Sequence, residues 1–268
     1  LDQAVQNALY TVELCDARVA VHAGEAVPLE IPLETAQNVH GIDGMGDIGL
    51  PLAGRQASGA HAVDALLDAS HGYEGMLTLV TLGPLTNVAR ALLRDPSLPQ
   101  RIGRCVVMGA VADHVGNTNP VAEFNMWADP HAVDVVLRSG LAVELVGWDI
   151  SRFYAVLDAT EAAAIRAIGT PLAEFCIDIQ GAVNTFALHE TKLAGFDLPD
   201  PIAMAYAIDP SVATQTRRLH CEVETMSAVT RGMVVMDLLE FTGHEPNALV
   251  VMAADRERFV AMLRDAVS

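Results

Sequence analysis

Lysine is nearly absent from this chain. Lys192 stands alone among 16 basic residues, against 34 aspartates and glutamates, and the formal net charge is −18. A surface without cation clusters cannot neutralise a phosphate backbone, which excludes nucleic acid as a partner. Aromatic residues make up 5% of the sequence, too few for a base-stacking platform. No uninterrupted apolar run reaches the ~18 residues of a membrane-spanning helix, so no membrane partner is expected. Cysteine is sparse and scattered. Cys15, Cys105, Cys176 and Cys221 form no Cys-x-x-Cys pair, which disfavours a zinc knot or a disulfide framework and predicts buried, reduced thiols in a cytoplasmic protein. The chain also opens without Met or a secretory pattern, and Leu1 leads straight into helix-like sequence. What is plentiful is apolar material, 51% of residues, which excludes a disordered chain. No linker divides it, so a single domain over 1–268 is expected.

Helical and strand-like runs alternate. Helices are predicted over 2–15, 60–70, 130–139, about 159–190, from Pro201, and over 254–267. Strands are predicted over Arg18–His22, Met76–Leu82, Arg104–Met108 and Ala142–Val146, with 219–235 read as β and polar turns. Met76–Leu82 is almost continuously apolar, as in strands buried on both faces of a parallel sheet. Pro84 suits the first position of the next helix. The alternation predicts an α/β fold, a mostly parallel central sheet flanked by helices in a Rossmann-like open arrangement. Ligands of such sheets bind beyond the carboxyl ends of the strands, here 39–50, 82–87, 108–127, 148–154 and the approach to Pro201.

Three of these segments carry candidate chemistry. Gly116–Pro130 brings together Asn117, Glu123 and Asn125. Carboxamides and a carboxylate can together hold a vicinal diol, as in a sugar; equally, this is a loop whose Asn side chains cap turns and the helix after Asp129-Pro130. The glycine-rich stretch His40–Gly49 fits a lid, a phosphate cradle or a turn-dense connection. No lysine follows it, and Asp43 and Asp47 would repel an anion. His40 at its edge is a proton donor, a substrate contact or a structural residue. Asp200 is either the N-cap of the helix from Pro201 or a ligand for a hard metal ion.

Taken together, Leu82-Gly83-Pro84-Leu85-Thr86-Asn87, Val107-Met108-Gly109, the Gly116-Asn117…Ala122-Glu123-Phe124-Asn125…Ala128-Asp129-Pro130 block, His40-Gly41…Gly44-Met45-Gly46 and Asp200-Pro201…Ala203-Met204-Ala205 come in the order seen in nucleoside hydrolases. The whole chain resembles these inosine–uridine-type N-ribohydrolases, and Thr230-Arg231-Gly232-Met233 resembles the family's late Gly-Met strand. The resemblance implies hydrolysis of the N-glycosidic bond of ribonucleosides to ribose and base, through an oxocarbenium-like transition state. It also implies a Ca2+ ion that binds the ribose 2′- and 3′-hydroxyls and activates the attacking water, whose proton an aspartate takes. The Leu82 backbone carbonyl and the Asp200 carboxylate match calcium ligands. Asn117, Glu123 and Asn125 match ribose-holding residues, Met108 the residue beneath the sugar, and His40 a position near the base. A homodimer or homotetramer is expected. The alternatives are a nucleoside-binding homologue without catalysis and a hydrolase of another N-ribosyl substrate.

The chain departs from the family pattern twice. The cluster Asp-x-Asp-Pro-Gly-x-Asp-Asp, which supplies the remaining calcium ligands and the catalytic base, is not in this sequence. The chain begins where the family's second helix would lie, so a first strand–turn–helix unit is expected to be missing. Pro199 stands where many members have a histidine that protonates a purine leaving group, a task left to His40, His189 or solvent.

Overall fold

A computed structural model describes residues 1–268. The first 75 residues are helix and connecting chain: α1 (Asp2–Leu14), the single turn α2 (Gln37–His40) and α3 (Ala62–Gly72). The strand expected at Arg18–His22 does not form. That segment makes one isolated bridge, His22 to Ser58, and Val19 is 62% exposed, so its alternation has no buried face to serve.

From residue 77 the predicted alternation holds. β1 (Leu77–Thr81), α4 (Thr86–Arg94), β2 (Ile102–Met108), α5 (Phe124–Ala128), α6 (Pro130–Arg138), β3 (Val143–Val146) and α7 (Trp148–Tyr154) follow in turn. The predicted helical stretch 159–190 resolves, after the short β4 (Val156–Leu157), into α8 (Ala159–Arg166), α9 (Pro171–Asp178) and α10 (Gly181–Phe186). Asp158 starts α8 with a capping box to Glu161, and Thr170-Pro171 starts α9. The short β5 (Phe196–Asp197) leads into α11 (Pro199–Ile208). β6 (Ala213–Leu219), β7 (Cys221–Val223), β8 (Val234–Met236), β9 (Ala248–Ala254) and α12 (Arg256–Ala266) make up the remainder.

Three boundaries differ from expectation. Pro84 lies two residues before the first helical residue, Thr86, and Leu85 is the N-cap. Helix α11 begins at Pro199, not Pro201, because Pro199 already has the fixed φ that suits a first helical residue. Strand β9 was not anticipated. Three of the seven residues in its sequence, ALVVMAA, are alanine, yet it lies between β3 and β6.

The sheet order is β1-β2-β3-β9-β6, parallel through β9, with β6 antiparallel at the edge. It is therefore mostly parallel, as predicted. Helices cover both faces. Cys105 and Val107 of β2 join one core with α4 and α6, and Val106 and Met108 join the other with α7, α11 and α12. This two-residue alternation into two separate cores is why β2 reads as one continuous apolar run. Cys105 and Cys221 are buried and their thiols are pushed up to about 12 by burial, so they are unreactive. Cys176 is partly buried and Cys15 is exposed, which corrects the expectation that all four lie inside.

Asp129 ties three segments together from a fully buried position. One oxygen accepts from Thr86 Oγ1 (2.7 Å) and Leu29 N (2.9 Å), and the other caps α6 by accepting from Ala132 N (3.1 Å). Asp129→Ala would leave two N–H groups and a hydroxyl without their acceptor. It should lower the unfolding free energy by about 2–4 kcal/mol, read by urea denaturation. A loss within error of zero would show that the three segments do not depend on this knot.

Candidate active site

Strands β1 and β2 end side by side, with Thr81 paired to Val107, so the residues that follow them share one rim. Leu82 leaves β1 there, and Met108 closes β2. Immediately after it, Ala110 adopts a left-handed φ of 69°, a conformation that costs an alanine about 1–2 kcal/mol. Two contacts hold it. Its N–H donates to Glu123 Oε2 (3.3 Å), and its carbonyl accepts from Trp148 N (2.9 Å).

Glu123 is 2% exposed and caps α5, accepting from Asn125 N (2.8 Å) on Oε1 and from Met126 N (3.3 Å) on Oε2. The capping falls to acids and not to the Asn side chains alone: Glu123 caps α5, and Asp129 caps the helix that starts at Pro130. A carboxylate accepts about four hydrogen bonds, and the backbone uses three, so Oε1 keeps acceptor capacity for a ligand. Burial raises its pKa to about 7, against the three N–H donors that favour the charged form. Asn125, also buried, donates from Nδ2 to the Met108 carbonyl (3.2 Å) and approaches its sulfur (3.3 Å), which leaves Oδ1 free. Asn117 accepts on Oδ1 from Phe124 N (2.9 Å) and Thr118 Oγ1 (3.1 Å), which leaves its Nδ2 free to donate.

Asp200 lies in the first turn of α11 but caps nothing. Leu198 is the N-cap, and the Asp200 carboxylate takes no hydrogen bond from the protein. The N-cap explanation of Asp200 fails. Burial, then the nearby charge of Asp197, raises its pKa to about 6. Asp197 itself is held by Trp148 Nε1 (2.8 Å) and Ser151 Oγ (2.7 Å).

His40 ends α2 at the mouth of the site. Part of the residue is exposed, yet the protein around the ring disfavours its charged form and lowers its pKa. The glycine-rich stretch after it is a turn-dense connection. Asp47 accepts from Ile42 N and Asp43 N, both at 2.9 Å, and Asp43 accepts from Met45 N (2.7 Å) and Asp47 N (3.0 Å). With their carboxylates spent on the backbone, neither aspartate faces a ligand. Gly46 (φ 78°) has no room for a side chain, since a Cβ would sit 2.5 Å from the Ile179 carbonyl.

One cavity of about 150 Å³ is lined by His40, Leu82, Met108, Asn117, Glu123, Asn125 and Asp200, every residue that the resemblance singled out. Pro199 lines it as well, and His189 does not. Ala36, Val39, Thr118, Phe124 and Phe186 complete the wall, and sequence reasoning assigned none of them a role. Phe124 was within reach, since it sits inside the Ala-Glu-Phe-Asn block. The cavity adjoins a wider cleft of about 750 Å³, with which it shares Ala36, Val39, Asn117, Thr118, Phe124 and Phe186. Trp127 lines that cleft and is held from outside it: the Arg231 guanidinium lies 3.7 Å from the centre of its ring, and Gly232 (φ 78°) packs against its backbone, where a Cβ would come within 2.3 Å of its Cα.

The donors facing the cavity are carboxylate, carbonyl and amide oxygens, the kind a hard cation takes. Their number falls short. Asp200 is the one carboxylate free of protein partners, and with the Leu82 carbonyl it makes two of the ~6–8 oxygens of a calcium shell.

These residues line one small pocket at the carboxyl ends of a Rossmann-like sheet. Residues 1–261 match the model of the inosine-uridine preferring nucleoside hydrolases, and the chain belongs to that family, whose members generally depend on a metal ion. The pyrimidine-specific ribonucleoside hydrolase RihA of Shewanella sp. (strain ANA-3) is 32% identical over 272 residues, covering 100% of this chain and 84% of that protein. RihA of Escherichia coli O127:H6 is 33% identical, covering 98% and 85%. Among solved structures, the plant nucleoside hydrolase PpNRh1 superposes with a TM-score of 0.91 at 26% identity, covering 99% of this chain and 86% of that one. The purine-preferring ribonucleoside hydrolase of Gardnerella vaginalis gives 0.90 at 29% identity, covering 99% and 85%.

The raised pKa of Glu123 has a consequence for stability. Between the ordinary value of 4.5 and about 7, the folded chain keeps a proton that the unfolded chain releases. This contribution is therefore complete below pH 4.5 and lost as pH rises through about 7, an amount on the order of 3 kcal/mol. Glu123→Gln removes the titration. The unfolding free energy of the wild type relative to this variant should fall between pH 5 and pH 7.5, and a difference that stays constant would refute the assignment.

Proposed function

We propose that this protein hydrolyses the N-glycosidic bond of ribonucleosides, releasing ribose and free base. The observation that carries this reading is the convergence of His40, Leu82, Met108, Asn117, Glu123, Asn125 and Asp200 on one small cavity. The cavity suits a sugar, and the wider cleft with Phe124 and Phe186 at its entrance suits the base. The free Nδ2 of Asn117, the free Oδ1 of Asn125 and the remaining acceptor site of Glu123 complement ribose hydroxyls, which both donate and accept. Met108 provides an apolar floor.

Calcium is the ion we assign to the pocket, with Asp200 and the Leu82 carbonyl among its ligands and further oxygens required from beyond these two. Bound there, it would supply the positive charge that orients the hydroxyls and acidifies a water. Pro199 carries no proton for the leaving group. His40, whose charged form the surrounding protein disfavours, suits a hydrogen bond to the base better than it suits general-acid catalysis. No helix is long and apolar enough to cross a membrane. We place the protein in the cytoplasm, acting in nucleoside salvage. Exposed Met226, Val229, Leu239 and Phe241 are apolar surface that the contacts of a homodimer or homotetramer would cover.

The test is ribose release from inosine, uridine and other ribonucleosides, with added calcium and after chelation. Turnover is expected with at least one nucleoside, abolished by chelator and restored by calcium. Asp200→Asn should lower kcat/KM by about 10²-fold or more, and Asn125→Ala by about 10-fold. Calcium affinity should also fall as pH drops below about 6, where the metal-free Asp200 takes up a proton that the ion must displace. Binding without cleavage would identify a nucleoside-binding homologue instead.

A further inference from the structure

A second group of metal-ligating side chains lies at the opposite end of the sheet. Leu219, the last residue of β6, pairs with Ala248, the first of β9. His220 therefore sits at the amino-terminal edge of the parallel strands, whereas the nucleoside pocket lies past their carboxyl ends. His220 Nε2 is 3.1 Å from Glu222 Oε1 and 3.2 Å from His244 Nδ1, and the third side of this triangle, His244 Nδ1 to Glu222 Oε1, is 3.9 Å. The point equidistant from these three atoms lies about 2.0 Å from each, the length of a Zn–N or Zn–O bond. A tetrahedral zinc ion sets its nitrogen and oxygen ligands about 3.3 Å apart, close to the spacing seen.

The support around these atoms is that of a ligand set. His220 Nδ1 lies 3.0 Å from the Glu245 carbonyl, which only accepts, so Nδ1 carries a proton, and a metal ion would take the place of the proton that Nε2 shares with the Glu222 carboxylate. A carbonyl on the far nitrogen is the usual support of a metal-bound imidazole. Both contributing segments are held by other contacts. Asn247 bonds the N–H and carbonyl of Cys221 (2.8 and 2.9 Å) and the Leu137 carbonyl (3.2 Å). Asp237 accepts from Phe241 N (2.8 Å) and from Thr242 N and Oγ1 (both 2.7 Å), and Thr242 Oγ1 accepts from His244 N (3.3 Å). The nearest competing cation, Arg138, is paired with Asp134 at 2.6 Å.

We propose that His220, Glu222 and His244 bind a zinc-type divalent transition-metal ion, with solvent in the remaining position. Two imidazoles and one carboxylate select such an ion over calcium or magnesium. The ion would fasten the 237–246 segment to the β6–β7 junction. It has no part in nucleoside chemistry.

The experiment uses metal-stripped full chain, titrated calorimetrically with Zn2+ in the presence of millimolar Ca2+, and with Co2+ followed by visible absorption. One Zn2+ per chain is expected, not displaced by calcium, with the intense bands of four-coordinate Co2+. His244→Ala and His220→Ala should each weaken binding by at least 10-fold and abolish the cobalt bands. Ribonucleoside turnover should be unchanged in both, so a failure here is separable from a failure of the hydrolase reading. His244 is exposed, so its variant carries the test if His220→Ala does not fold. No stoichiometric Zn2+ binding, or equal affinity in the His244→Ala variant, would overturn the proposal.

Discussion

The hydrogen bond from Ala110 N–H to the Glu123 carboxylate is the contact on which the pocket depends. It holds an alanine left-handed directly beyond β2, a conformation the residue would not keep unaided. The turn sends the chain away from the sheet and leaves Met108 at the rim. The same carboxylate caps α5 and so fixes Asn125, whose amide reaches back to Met108. Strand end, turn and helix start are thereby locked to one another through one buried acid. Removing it would release all three, which is why its role as a cap and its place in the cavity wall are not competing descriptions.

The opposite wall is positioned by other means. Arg104 on β2 makes a two-pronged pair with Glu144 on β3 (2.9 and 2.8 Å), donates to the Ala207 carbonyl (3.0 Å), and shares Glu144 with the Tyr206 hydroxyl (2.7 Å). This anchors the carboxyl end of α11 to the sheet. Trp148 and Ser151 of α7 anchor its approach through Asp197. Asp200 is thus held between two fixed points with its carboxylate unsatisfied, and the charge of Asp197 makes its ionisation harder. A folded chain tolerates an unpartnered acid where something else is to supply the compensating charge.

Much of this was legible in the sequence, and the exceptions have physical causes. Strands β1, β2 and β3 are short apolar runs because both of their faces are covered. Arg18–His22 carries the same residue types, but strand propensity reports packing against neighbours, and one bridge to Ser58 provides none. Strand β9 escaped notice for the converse reason. Its alanines are weak strand formers, and its position between β3 and β6 decides its conformation. At the site, Asn117, Glu123, Asn125 and Asp200 were readable because their polarity stands out in loops and at a helix start. Ala110, Trp148 and Asp197 were not, because they act through backbone geometry and contacts between segments 38 to 49 residues apart.

The two ends of the sheet also offer different donor atoms, and its direction explains how. Beyond the carboxyl ends, chain reversals leave carbonyls and short polar side chains facing a cavity, and these hard oxygens suit a cation such as calcium. At the amino ends the antiparallel β6 stops at Leu219, and His220, between β6 and β7, meets the imidazole of His244 from another segment. Nitrogen ligands hold a borderline ion far better than they hold calcium. A chain that carries both sets needs no gatekeeping between them, since each ligand set discriminates by its own donor atoms.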